Sequence, residues 1–151
     1  MLHTAGRQSL LLKAYEGACY EVQLDTAALI MRVGEPLPAA LQAWFDANRI
    51  EMAAFISAAN PLSRPMTAED NAARHAQLLC ALHKLEVRCL PGYGRDPVGV
   101  WDAEASVLAL GLARTQAVQL AERFEQNAYI EVLPHRPAKL VLTAHWCACD
   151  S

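Results

Sequence analysis

Residues able to do chemistry gather in only a few places along the 151-residue sequence. Near the C-terminus, His145-Trp146-Cys147-Ala148-Cys149-Asp150 brings together one imidazole and two thiols, the ligand types zinc prefers. This Cys-x-Cys has no matching second half elsewhere, so no metal is assigned to it. His3, His75, His83 and His135 show no ligand spacing, and His75 falls on an apolar helical stripe, where it reads as a packed residue. Asp102 and Glu104 are close enough to suggest a metal-dependent nuclease, but no lysine follows in a Glu-x-Lys arrangement. Neither a Gly-x-Ser-x-Gly elbow nor a cysteine-nucleophile signature occurs. Gly92-Tyr93-Gly94 lacks the further glycine and the Lys-Ser/Thr of a phosphate loop and reads as a hairpin tip. What remains is Glu104, a carboxyl group that can serve as general acid or base in a hydrolase-like reaction. No cofactor is expected.

The composition restricts the classes of function. Hydrophobic residues make up 54% of the chain and charged residues 19%, with no low-complexity tract, so the sequence is expected to fold as one domain over residues 1–151 around an ordinary core. A net charge of -3 removes the basic footprint of nonspecific nucleic-acid binding. Strand aromatics on a base-stacking platform would be limited to Phe55, so no nucleic-acid partner is expected. No apolar run reaches the roughly 20 residues of a membrane span, and Lys13 and Glu16 interrupt Leu10-Leu11-Leu12 before a secretory core can form. The five cysteines, Cys19, Cys80, Cys89, Cys147 and Cys149, form no disulfide framework; they are expected to be free in a reducing, cytoplasmic setting. Nothing in the sequence sets the oligomeric state.

The elements that must position any site follow from periodicity. Residues 17–24 are strand-prone and pair as a hairpin with the stretch ending at Val33. Leu37, Leu41, Trp44, Phe45 and Asn48 predict a short helix after Pro36. Glu51 to Ala59 is an apolar strand stopped at Asn60-Pro61. Thr67 caps a helix carrying His75, Leu78, Leu79, Leu82 and Leu85 on one stripe. A short strand from Val87 to Leu90, a turn-rich connection from Pro91 to Pro97, and an apolar strand from Glu104 to Leu112 come next. Thr115 is read as the cap of a helix bearing Ala117, Leu120, Ala121 and Phe124 and ending at Asn127. Strands from Ala128 to Leu133 and Leu140 to His145 complete the chain.

The predicted fold class is therefore α+β. A ferredoxin-like β-α-β-β-α-β core over about 51–133, with an antiparallel sheet, is extended by N-terminal strands, an N-terminal helix and a C-terminal strand. Both helices of that unit cover one face, and the N-terminal strands with the helix after Pro36 are expected to cover the other. In such a unit the strand ending at Asn60 lies beside the start of the strand at Glu104. The same edge receives Ser63, Asp70 and Asn71 from the start of the first helix, the connection from Pro91 to Trp101 and, after the second helix, Gln126 and Asn127. These side chains can either hold a ligand or simply cap helix ends and turn carbonyls.

Four segments together resemble a known bacterial family: Phe55-Ile56-Ser57-Ala58-Ala59-Asn60-Pro61-Leu62-Ser63, Asn71 in its capped helix, Trp101-Asp102-Ala103-Glu104-Ala105-Ser106, and Phe124-Glu125-Gln126-Asn127-Ala128. The chain is similar over roughly Tyr20 to Val132 to the uncharacterised family called domain of unknown function 3293. Before Glu104 it lacks the proline commoner in that family. The resemblance brings no known reaction, but it groups Asn60, Ser63, Asn71, Trp101, Glu104, Ser106, Gln126 and Asn127 as binding candidates. The resulting expectation is a small cytosolic binding or accessory domain for a small polar ligand or a protein partner, with a polar pocket at one end of the sheet. An enzyme using Glu104 and a protein-protein interaction module are the alternatives.

Overall fold

The computed structural model describes residues 4–98 and 102–148; Trp101 and Cys149 lie outside the described residues. The chain is α+β. Its elements are α1 (Thr4–Gly17), β1 (Cys19–Leu24), β2 (Ala27–Met31), α2 (Ala39–Ala47), β3 (Ala53–Ser57), α3 (Ala68–Lys84), β4 (Cys89–Arg95), β5 (Glu104–Leu110), α4 (Arg114–Arg123), β6 (Ala128–Val132), β7 (Lys139–Leu142) and α5 (Ala144–Ala148). A short 3-10 turn at Pro61–Ser63 follows β3. The strands form one seven-stranded sheet in the order β2-β1-β4-β5-β3-β6-β7, with every strand pair antiparallel.

Strand β3 has β5 on one side and β6 on the other, and its side chains alternate between two cores. Ala54 and Ile56 join Val107 and Ala109 of β5 under Leu78, Ala81 and Leu82 of α3, Ala117, Leu120 and Ala121 of α4, and Phe124 just beyond its end. Ala53 and Phe55 face the other way, with Leu108, Ile130, Val132 and Met31, against Leu41 and Phe45 of α2. A layer on each face explains why β3 and β5 carry apolar residues without alternation. Leu41 and Phe45, four residues apart on α2, are fully buried, and such side chains each contribute about 1.5–3 kcal/mol.

Several sequence expectations change. The N-terminal strands do not cover the second face as a separate layer; β1 pairs with β4 and extends the sheet, leaving α2 as the helix over that face. β4 continues through Pro91-Gly92-Tyr93-Gly94 instead of turning there. Gly92 is required because a Cβ would come within 2.4 Å of the Glu21 carbonyl oxygen and 2.8 Å of the Phe55 ring. Helix α4 starts after Ala113, not at Thr115, with the Gln116 side-chain oxygen accepting from the Ala113 amide at 3.3 Å. It ends at Arg123, and left-handed Glu125 (φ 56°) turns the chain before Asn127. The last strand stops at Leu142, and His145 belongs to α5. Helix α1 had no sequence signal, because consecutive Leu10, Leu11 and Leu12 make no stripe. It is held by Gln8, which donates to the Trp146 carbonyl at 3.2 Å, and by Tyr15, whose ring lies 6.2 Å from that of Trp146. Among the described residues no helix is long and apolar enough to cross a membrane.

Candidate functional site

The antiparallel pairing of β3 and β5 sets Ser57 opposite Ser106, so the chain beyond β3 passes beside Glu104 at the start of β5. There the backbone leaves extended geometry: Asn60 (φ 47°), Leu62 (φ 56°) and Ser63 (φ 59°) are all left-handed, around Pro61. Asparagine tolerates that conformation, whereas leucine and serine do so at an energetic penalty.

Asn60 is the hub of this end. Its backbone N–H donates to Asn71 Oδ1 at 2.9 Å, and Asn71 Nδ2 donates back to Asn60 Oδ1 at 2.9 Å. The same Oδ1 accepts from the Met66 amide at 3.0 Å, and Asn60 Nδ2 donates to Glu104 Oε1 at 2.8 Å. Asn71 is presented by the first turns of α3, which begins where Thr67 Oγ1 accepts from the Asp70 amide at 3.1 Å. Ser106 is buried (2% exposed) and its hydroxyl donates to the Glu104 carbonyl at 3.1 Å. Across the strand pair, the Ser57 hydroxyl donates to the Ala105 carbonyl at 3.1 Å.

The end of α4 is fastened to the same loop. Gln126 Nε2 donates to the Ala59 carbonyl at 2.9 Å and to the Phe124 carbonyl at 3.1 Å, and the Leu62 amide donates to the Glu125 carbonyl at 2.7 Å. Arg74 donates to the carbonyls of Ala58, at 2.6 Å, and Phe124, with Glu125 3.6 Å away. Asn127, 3% exposed, donates at 3.3 Å to both Tyr15 Oη and Ser63 Oγ, which are 2.5 Å apart. Its own Oδ1 is buried without a partner among the described residues. Tyr20 secures the end of α1 by donating to the Tyr15 carbonyl at 2.5 Å.

The structure thus brings Asn60, Ser63, Asn71, Glu104, Ser106, Gln126 and Asn127 to one end of the sheet. Asp70 meets this end only through its amide, in the cap of α3. Tyr15, Tyr20 and Arg74 belong to the same cluster and were not singled out in the sequence. Arg74 stands one turn after Asn71 on α3 and could have been found from that spacing; Tyr15 could not, because α1 has no stripe in the sequence, and Tyr20, on the legible strand β1, joins the cluster only through its neighbours in the folded chain. Most donors here are already committed to carbonyls or side-chain oxygens, which is the capping role anticipated for them. Glu104 is different. Partial burial raises its carboxyl pKa, opposed by the Asn60 hydrogen bond, and Glu104 forms no ion pair among the described residues. Its second oxygen accepts no hydrogen bond among the described residues. Burial likewise pushes the Tyr20 phenol up, with Tyr15, Glu104 and Cys19 adding to the effect, so Tyr20 stays a donor.

Two open clefts, of about 550 Å³ between α3 and α4 and about 540 Å³ beside β7, lie away from this cluster and are lined by none of its members. No group of three or more metal-binding side chains occurs among the described residues, and His145 instead bonds the Glu122 carbonyl at 2.7 Å.

An α+β protein with a polar knot closing one end of its sheet is the class defined by this geometry. A family model described as "Protein of unknown function (DUF3293)" matches residues 56–129, from β3 into β6, and the chain is similar to that family. The match is narrower than the Tyr20 to Val132 span read from the sequence; it includes all eight candidate residues from Asn60 to Asn127 and leaves Tyr15 and Tyr20 outside. Comparison with curated proteins and with solved structures returns no match.

Proposed function

We propose that the protein is a small cytoplasmic binding or accessory domain that holds a small polar ligand at the Asn60–Glu104 end of its sheet. Glu104 carries this reading. A side chain needed only to accept from Asn60 could be a neutral glutamine, and burying an ionisable group without a cation is costly unless something else compensates it. Glu104 is only partly buried, and its second oxygen, unbonded among the described residues and open to solvent, is placed to meet a ligand that offers a hydrogen-bond donor or a positive charge. The left-handed residues Asn60, Leu62 and Ser63 also support it, since strain on the order of 1–3 kcal/mol per residue persists where surrounding contacts over-determine the backbone, often at binding sites.

A second reading makes Glu104 a general acid, favoured by the upward direction of its pKa, because an acid must keep its proton near the working pH. We read the core as ferredoxin-like on the strand order β6-β3-β5-β4 and the placement of α3 and α4 on one face; the remaining three strands and α2 are additions to that unit.

The test is an amide NMR screen of the ¹⁵N-labelled protein with small amines, guanidines and carboxamides, repeated on Glu104→Gln. Ligands are expected to shift Asn60, Asn71 and Gln126 saturably and to bind Glu104→Gln about tenfold more weakly, the scale of a lost charge-assisted hydrogen bond. Ligands binding both proteins equally, or shifting only residues elsewhere, would exclude the site. Turnover of a bound compound by the wild type but not by Glu104→Gln would select the acid reading.

A further inference from the structure

The cleft between α3 and α4 is separate from the Glu104 site and has a charge pattern of its own. On α3 its wall is formed by residues at positions 77, 80, 81 and 84, and on α4 by 116, 119, 120 and 123, the same i, i+3, i+4, i+7 ridge on each helix. Leu120 and Ala81 are buried residues of its lining, and Leu85, next to Lys84, also lines it while remaining 45% exposed. The walls carry three glutamines and two cations, Lys84 and Arg123, and among the described residues no carboxylate lines the cleft, although the chain as a whole is acidic. Neither cation forms an ion pair among the described residues; Arg123 lies 5.4 Å over the Phe124 ring.

Each of these cations also stands in the last turn of its helix, where it offsets the carbonyl end of the helix dipole. The two helices follow antiparallel strands and so run in opposite directions, which places the cations at opposite ends of the cleft. Seven residues of helix separate those ends by about 10 Å. The volume of about 550 Å³ suits a small molecule rather than a macromolecular partner.

We propose that this cleft binds a small organic dianion with an apolar middle, its two anionic groups meeting Lys84 and Arg123 and its chain lying on Leu120 and Leu85. Octanedioate has the required length and is the probe. Amide NMR on the full chain should show saturable shifts in 77–85 and 116–123, and octanedioate should slow iodoacetamide labelling of Cys80, an exposed lining residue, at least threefold by peptide mass spectrometry. Lys84→Gln and Arg123→Gln should each weaken binding about threefold to fivefold, the range of an exposed ion pair, and the double variant about tenfold or more. Octanoate and inorganic phosphate should bind more weakly than octanedioate. Glu104→Gln should leave all of this unchanged, which keeps the result independent of the other site. The absence of saturable shifts at about ten times a millimolar dissociation constant, a double variant that binds as well as the wild type, or octanoate binding as tightly as octanedioate would overturn the proposal.

Discussion

Replacing Asn60 with alanine tests the polar knot at its centre. The substitution removes two bonds to Oδ1, from the Met66 amide and from Asn71 Nδ2, and one from Nδ2 to Glu104. At roughly 1 kcal/mol net for each, the three give about 3 kcal/mol, reduced to about 2 because the loop is only partly buried and water can replace the Met66 contact. Alanine must also hold φ near 47°, which adds about 1 kcal/mol. The expected loss is therefore about 3 kcal/mol. Asn60→Gly loses the same three bonds but accepts the left-handed backbone, so it should be about 1 kcal/mol more stable than Asn60→Ala, less what glycine loses through its freer unfolded chain. Equilibrium unfolding in urea, followed by far-UV circular dichroism, measures both. An Asn60→Ala protein within about 0.5 kcal/mol of wild type, the range of an ordinary surface substitution, would refute the assignment of Asn60 as the hub. An Asn60→Ala protein clearly more stable than Asn60→Gly would refute the argument from backbone strain.

Glu104 makes stability depend on pH with a definite sign. Its folded pKa is raised above 4.5, so the folded state holds the proton more tightly than the unfolded one. Its contribution is present below the unfolded value and is lost as pH rises through the folded value. Glu104→Gln should flatten that decline and be at least as stable as wild type at pH 7, as urea titrations at several pH values would show; a steeper decline in the variant would contradict it. Gly92→Ala should destabilise the protein by about 3 kcal/mol, because its methyl would meet the Glu21 backbone and the Phe55 ring; an unchanged thermal midpoint would mean that β1 and β4 can move apart. In alkylation followed by mass spectrometry, exposed Cys80 should react well before Cys89, whose thiol burial pushes up to about 11, and buried Cys19; equal rates would contradict the burial of Cys89.

Residues whose behaviour depends on near neighbours were legible in the sequence. Thr67 caps α3 because its hydroxyl meets an amide only three residues on, and the two-sided apolar character of β3 announced a strand between two layers. A stop near Asn60-Pro61 followed from Pro61, although β3 itself already ends at Ser57, and the β-α-β-β-α-β element order with an antiparallel sheet puts Asn60, Glu104 and Gln126 at one edge. Tertiary structure alone decided the rest. The Gly92 segment looks like a turn because glycine and proline usually mark turns, yet it is strand because the close approach of Glu21 and Phe55 excludes a side chain there. Helix α1 lacks an apolar stripe, and its place depends on single long-range contacts of Gln8 and Tyr15, which local pattern does not encode. Most of all, the sequence presented Glu104 as one carboxylate among sixteen acidic residues. Its partial burial, with no ion pair among the described residues, arises from how β3, β5 and the Asn60 loop close around it, and solvation by distant parts of the chain has no signature in the residues beside it.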